Sequence, residues 1–407
     1  MSLRQGFIAT FAGNVVFAGG QWAVLSLIAR LGSAEMLGEY ALAVAIATPV
    51  AMFTPLNLRS VLATDMEDRH PFGDYLALRV GTVALGIGAV AAIALVGGYA
   101  RPVAWVIVAA GVVLGVDNLS DIYYAAMQRR DRMDQIAGST AARATLSLAG
   151  LGIVLWLTHS LPAAMAAQAA GRIAVLLAYD RPTGSAGERM ARSGFRTQAG
   201  IVWVALPLGI VLMLLSLAAS LPRYAIQRDL GLAELGIFAA PASFMAVGAT
   251  VVNAMGQAAT PRLARCFSGG DERRFRRLVL ELVGVSALLG VAGIGVALVM
   301  GRFSLRLLYG ETYAPYVNLL VWLMGVALLG NVAGSLGYII TSARAFRAQL
   351  PLFAVVAASA GTAAWLLVPR MGLKGGAVAL GVSSLVQGAG SLLILRRAWR
   401  NRRFAAQ

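Results

Sequence analysis

The chain has 407 residues, 59% of them hydrophobic and only 13% charged, against about 45–50% and about 25% in soluble domains. A mean hydropathy of +0.75 is more apolar side chain than a water-soluble fold can hide, which excludes a soluble globular enzyme and a disordered basic tail. The formal charge of +16, from 34 Lys and Arg against 18 Asp and Glu, must therefore be located along a polytopic membrane chain.

The chain opens with an apolar stretch from Phe7 that is too long for a signal-peptide core, and it is read as a retained first span. With about 20 apolar residues needed per span, and each span helical because lipid cannot satisfy an open backbone, about twelve transmembrane helices are expected. In the first half they fall at roughly 7–29, 38–58, 80–98, 102–126, 136–157 and 161–179. In the second half they fall at roughly 199–220, 236–259, 277–300, 315–340, 350–368 and 376–395. The fold class expected is an all-α polytopic membrane protein. Cys266 is the lone cysteine, so no intrachain disulfide forms, and no Cys/His grouping suggests a metal or other cofactor.

Charge placement orients these spans. With both termini on one side, that side collects 24 of the 34 basic residues, including Arg59, Arg79, the Arg129–Arg132 cluster, the Arg273–Arg277 run and the Arg396–Arg403 tail. The opposite loops hold eight, and Arg143 and Arg172 lie inside spans. The bias predicts a multi-pass protein of the cytoplasmic (inner) membrane with cytoplasmic N- and C-termini. All outer loops are short, which leaves no room for an extracytoplasmic catalytic domain.

An internal repeat divides the chain. Gly32 and Glu35 match Gly231 and Glu234 at an offset of 199 residues, and after a one-residue gap Gly38, Tyr40 and Ala41 match Gly236, Phe238 and Ala239. Both copies follow the first span of their half. An even number of spans per half makes the halves parallel, an arrangement that places a substrate path between them. The expected organisation is an N-terminal lobe over 1–180, a Pro/Gly- and charge-rich cytoplasmic linker over 181–198, and a C-terminal lobe over 199–407 with a basic tail.

Several stretches in this order carry a family likeness: Ala29–Ala43, Asn57–Asp65, Phe72–Arg79, Gln128–Asp134, Leu308–Tyr313 and Gly372–Ala377. Together they resemble the polysaccharide and oligosaccharide (Wzx-like) flippases of the multidrug/oligosaccharidyl-lipid/polysaccharide exporter superfamily. The resemblance implies a MATE-like fold of two six-helix lobes. It also implies movement of lipid-linked saccharide from the cytoplasmic to the outer leaflet by alternating access. The partners it implies are an anionic lipid-linked saccharide, membrane lipids and glycosyltransferase or polymerase machinery, with coupling to H+ or Na+ in place of a cofactor.

Ionisable groups inside spans are costly and mark functional positions. Asp117 and Asp121 share a helix face, and counting from the following loop places Asp121 at the depth of Arg143 on the next helix. Two roles fit: a structural salt bridge, or ion coupling by the acids with Arg143 as substrate contact. Arg172 sits near the middle of its span with Gln168 one turn away and no acid in its own helix. Facing a cavity, its guanidinium matches phosphate oxygens bidentately; the structural alternative is a carboxylate or carbonyl on another helix.

Arg59 ends the second span at its cytoplasmic mouth, as receiver of an anionic head group or as a topology anchor. Asn57 beside it, with Asn14, Gln21, Asn253, Gln257, Asn331 and Gln387, would hydrogen-bond sugar hydroxyls or hold helices together. Glu281 lies near the cytoplasmic end of its span. The basic segments lack a nucleic-acid-binding fold around them and suit anionic lipid head groups. The competing readings are a MATE-type proton- or sodium-coupled drug antiporter and, from another class, a membrane-embedded glycosyl or acyl transferase. A transferase would need a reachable catalytic carboxylate or His, and neither His70 nor His159 has such a setting, so no enzyme is expected.

Overall fold

The computed structural model describes residues 19–20, 22–56, 58–59, 62, 71–188, 190–191, 195–343 and 346–405. The described residues are helical throughout and form two compact units, 1–216 and 217–407. Among the described residues ten helices are long and apolar enough to cross a membrane, and a pair bent by 47° counts as an eleventh if it is taken as one span. The apolar helix Trp22–Leu31 is the described part of the span expected at 7–29.

In the first unit, α1 is Trp22–Leu31 and α2 Ala34–Phe53. They are followed by α3 Phe72–Val96, α4 Arg101–Arg129, α5 Met133–Thr158 and α6 Leu161–Val175. Local chemistry sets the ends. Ser33 caps α2 by accepting from the Met36 N–H at 3.2 Å, leaving one fewer orphan donor. Pro102 and Pro162 stand in the first turns of α4 and α6, where a missing N–H costs nothing. α2 stops at Thr54, past Pro49, and Leu56 takes a left-handed φ of 45°. Asn118 of α4 meets that broken end, donating through Nδ2 to the Ala51 carbonyl and the Thr54 hydroxyl, both at 2.8 Å.

α6 does not end at 179. It runs through a π-helical turn, Leu176–Asp180, into the short helix α7, Arg181–Ser185. Pro182 suits the first turn of α7, and Gly184 lies against Tyr123, whose Cβ would stand 2.5 Å from a Cβ added there. Arg130 donates to the carbonyls of Thr183 at 2.7 Å and Ala186 at 2.6 Å. The start of the 181–198 segment is thus docked on the end of α4. The division between units falls later, inside α8 (Phe195–Leu230).

The second unit continues with α9 Leu232–Ala242 and α10 Met245–Gly269, the bent pair, and then α11 Glu272–Tyr309. A 3-10 turn, Glu311–Tyr316, leads to α12 Val317–Ser342, α13 Phe346–Met371 and α14 Leu373–Ala405. The sequence repeat has a structural counterpart in each unit. α2 starts after Ser33 and α9 after Gly231, and Gly38, Tyr40, Ala41, Gly236, Phe238 and Ala239 are all buried. Both helices then break, at Thr54 and at Ser243.

Small residues bring helices close, as membrane packing requires. A Cβ on Gly290 of α11 would stand 2.6 Å from the Cα of Leu328 on α12. At one end of the second unit Phe267, Phe275 and Trp399 stack with ring centroids 5.0 to 5.7 Å apart. Large apolar side chains such as Leu95, Val96, Leu288 and Val299 point outward and exposed, which suits lipid and not water.

Candidate functional site: a charged stripe inside the first unit

One face of α4 carries Asp117, Asp121, Tyr124 and Gln128, spaced 4, 3 and 4 residues apart, so they form a single stripe along the helix. Arginines from four other segments converge on it. They form two clusters with the Tyr124 ring between them.

The first cluster centres on Asp117. Arg143 of α5 reaches its Oδ1 at 3.1 Å, and Arg172 of α6 donates to Oδ2. Arg172 also donates through Nε to the Ser147 hydroxyl at 3.1 Å. Both guanidinium groups are buried, and Gln168 is 1% exposed. Arg143 Nε and Gln168 Oε1 have no hydrogen-bond partner among the described residues. All three side chains, with Asp117, Thr140 and Ser147, line a cavity of about 20 Å³, room for about one water.

The second cluster centres on Asp121. Arg59 pairs with its Oδ1 at 2.8 Å and Arg79 with its Oδ2 at 3.6 Å. Arg59 also donates to the Gln128 side-chain carbonyl at 3.2 and 3.4 Å. Arg79 has no exposed surface, and none of its guanidinium nitrogens has a hydrogen-bond partner among the described residues. In each cluster two guanidiniums face one carboxylate, which leaves one positive charge in excess. Tyr124 separates them, with the Arg143 guanidinium 5.2 Å and the Arg59 guanidinium 5.9 Å from its ring centroid.

The geometry corrects several sequence expectations. Arg143 meets Asp117, not Asp121. Asp121 lies a turn further along α4, about 6 Å on, level with Arg59 and Arg79. Arg172 meets a carboxylate of another helix, Asp117, which is the structural alternative the sequence raised for it. Arg59 is held inward by Asp121 and Gln128, although its side chain keeps 38% exposure. Arg79 was counted as a loop charge, but α3 begins at Phe72 and carries it wholly inside the unit. Asp180, the residue expected to close the N-terminal lobe just before the linker, is fully buried. Arg79, Tyr124, Ser139, Ser147 and Asp180 were not legible as site residues, because only the packing of α3 to α7 brings them to the stripe.

Other expected positions scatter. Asn57, Asn14 and Gln21 lie outside the described residues. Glu281 pairs with Arg277 at 2.8 Å on an exposed helix turn. Asn253 accepts from the Tyr338 hydroxyl at 3.4 Å, and Gln387 donates to the Ala333 carbonyl at 3.2 Å, both links between helices. Asn331 is buried against Gly248. Among the described residues no group of acids, histidines and cysteines suits a metal ion.

Comparison with known proteins places this site in a recognised architecture. The structure superposes on an inward-facing multidrug resistance MATE family transporter of the MOP superfamily with a TM-score of 0.70, covering 99% of this chain and 96% of that one at 13% identity. The chain has the MATE fold. A Vibrio cholerae MATE transporter matches at a TM-score of 0.68 and 16% identity over 98% of this chain and 97% of that one. The lipid II flippase MurJ, in an inward closed conformation, matches at 0.70 and 9% identity over 96% and 87%. In sequence, the Staphylococcus aureus capsular polysaccharide biosynthesis protein CapF is 23% identical over 386 residues, 94% of this chain and 96% of that protein. No protein-family profile matches the chain. The chain is thus a multi-pass, MATE-like membrane protein whose sequence resembles a polysaccharide-biosynthesis relative.

Proposed function

We propose that this protein moves a polyprenyl-diphosphate-linked oligosaccharide or polysaccharide precursor from the cytoplasmic to the outer leaflet by alternating access. The observation that carries the reading is the pair of arginine clusters on α4, the first of them buried, each with one guanidinium more than its carboxylate neutralises among the described residues. A buried positive excess is costly and suits an anionic ligand. A diphosphate offers pairs of anionic oxygens that a guanidinium fork can bind, so it competes with Asp117 for Arg143 and Arg172. Gln168, buried beside them, supplies an amide for a neighbouring hydroxyl. The likeness to a capsular polysaccharide biosynthesis protein and to a lipid II flippase supports the same substrate class. On this reading the protein is a transporter and not an enzyme. It works in the inner membrane with both termini in the cytoplasm, beside the glycosyltransferases that supply its substrate, and is driven by an H+ or Na+ gradient. A cationic-drug antiporter fits less well, because both oxygens of Asp117 and of Asp121 are held by arginine.

The test is leaflet exchange of a fluorescent polyprenyl-diphosphate saccharide in proteoliposomes. Wild type is expected to transport, and Arg172→Ala or Arg143→Ala to lose about tenfold or more, the equivalent of about 1.4 kcal/mol. Arg172→Lys is expected to recover little, since an ammonium cannot reproduce the bidentate fork. Exchange of a cationic dye with no exchange of the saccharide would overturn the proposal.

A further inference from the structure

Asp180 is a buried carboxylate that neither arginine cluster uses. It closes the π-helical turn after α6 and has no exposed surface. The Ser139 hydroxyl donates to its Oδ1, and among the described residues no group makes a close hydrogen bond to Oδ2. Among the described residues no Arg or Lys stands at ion-pair distance from it. The facing groups are Asp117, Ser120, Tyr123 and Tyr124 of α4, Ser139 and Arg143 of α5, and Arg181 of α7. Arg143 is already engaged with Asp117, and the Ser120 hydroxyl lies close enough to interact with the Asp180 carboxylate.

We propose that Asp180 is a proton-binding site through which pH acts on the two arginine clusters. An ionised carboxylate sealed from water with no direct ion pair is disfavoured, and one proton from water removes the cost. The surroundings accommodate both forms. When Asp180 is ionised, Ser139 donates to it, and the Tyr124 hydroxyl, 2.6 Å from Ser139 Oγ, must donate to Ser139. When Asp180 is protonated, its own O–H donates to Ser120, its carbonyl oxygen becomes a weaker acceptor, and Ser139 is free to donate to Tyr124. The hydroxyl relay reverses at the ring that both Arg143 and Arg59 flank. Proton binding at Asp180 is thereby felt where the two clusters meet. A π-helical turn is a frequent mark of such functional positions.

Proton binding stands independently of the proposed transport; only its effect on turnover rests on that reading. The experiment has two arms. In the first, infrared difference spectra of the purified protein in lipid are recorded across pH. Wild type is expected to show a titrating C=O band of a protonated, buried carboxyl, absent in Asp180→Asn and displaced in Ser139→Ala. In the second, saccharide exchange is measured across pH. Wild-type rate is expected to change by up to about tenfold per pH unit where Asp180 titrates, and Asp180→Asn to give a flat profile at unchanged saccharide affinity. A band that persists in Asp180→Asn, or that is missing in wild type, overturns the proton site, whatever the transport result. A wild-type band with no saccharide exchange overturns the proposed transport alone. If Asp180→Asn does not fold, Ser139→Ala carries the test: an unshifted band and an unshifted pH profile overturn the proposal.

Discussion

At the scale of single residues, the two carboxylates of α4 do different jobs with the same chemistry. Among the described residues Asp117 is the acid in ion-pair contact with both buried guanidiniums, so Asp117→Asn removes the direct counter-charge of both. That substitution should cost about 3–5 kcal/mol, read as a large fall in thermal unfolding temperature in detergent. Arg79 behaves differently. Asp121 keeps Arg59 at 2.8 Å without it, and its nitrogens make no hydrogen bonds among the described residues. Replacing a poorly satisfied buried ion with an apolar side chain of similar size is often neutral or stabilising. Arg79→Met is therefore expected to unfold at or above the wild-type temperature; a loss like that of Asp117→Asn would show that Arg79 is a structural partner of Asp121. The participants Asp117, Asp121, Arg143 and Arg172 were visible in the sequence as charges inside apolar runs. Their pairing was not, because one helical turn along α4 decides which arginine an acid meets.

At the scale of elements, helix existence follows from apolar runs, whereas helix ends follow from tertiary contacts. The second and third spans show it. A cut at charged residues starts the third span near 80 by the sequence estimate, yet α3 starts at Phe72 because Arg79 and Asp74 are buried inside the unit and need no water. α6 likewise runs on to Ser185 through Asp180, since Ser139 and Arg130 supply partners that the local sequence does not. Close helix contacts obey the same logic. Gly290 permits α11 to meet the Leu328 backbone, and even Gly290→Ala would bring a Cβ to 2.6 Å. Gly290→Val should force the helices apart at about 1–3 kcal/mol, measurable as a lower unfolding temperature. Gly295, with open space around it, is the control position, where Ala should change little.

At the scale of the whole molecule, the proposed orientation makes most of the +16 charge a topology signal and not a partner signal. The prediction is reciprocal labelling in a Cys266→Ser background. Arg273→Cys, exposed at the start of α11, should react with a membrane-impermeant maleimide only after the membrane is permeabilised. Arg302→Cys, exposed near the other end of the same helix, should react in intact spheroplasts. The opposite pattern would invert the topology and with it the direction of the proposed transport. Arg79 drops out of the topology argument, since a side chain sealed inside the unit does not meet the aqueous side.

The sequence by itself determined that the chain is helical, spans a membrane many times and repeats its opening pattern, because lipid imposes length, apolarity and backbone closure on every span. Its ordered motifs also carried the resemblance that the MATE fold bears out. Only the tertiary structure decided which charges meet. Helix rotation, the break at Thr54 and the π-helical turn at Leu176–Asp180 place Arg59, Arg79, Arg143, Arg172 and Asp180 around one stripe of α4. Those relations are set by packing between segments far apart in the chain, which no local run of residues encodes.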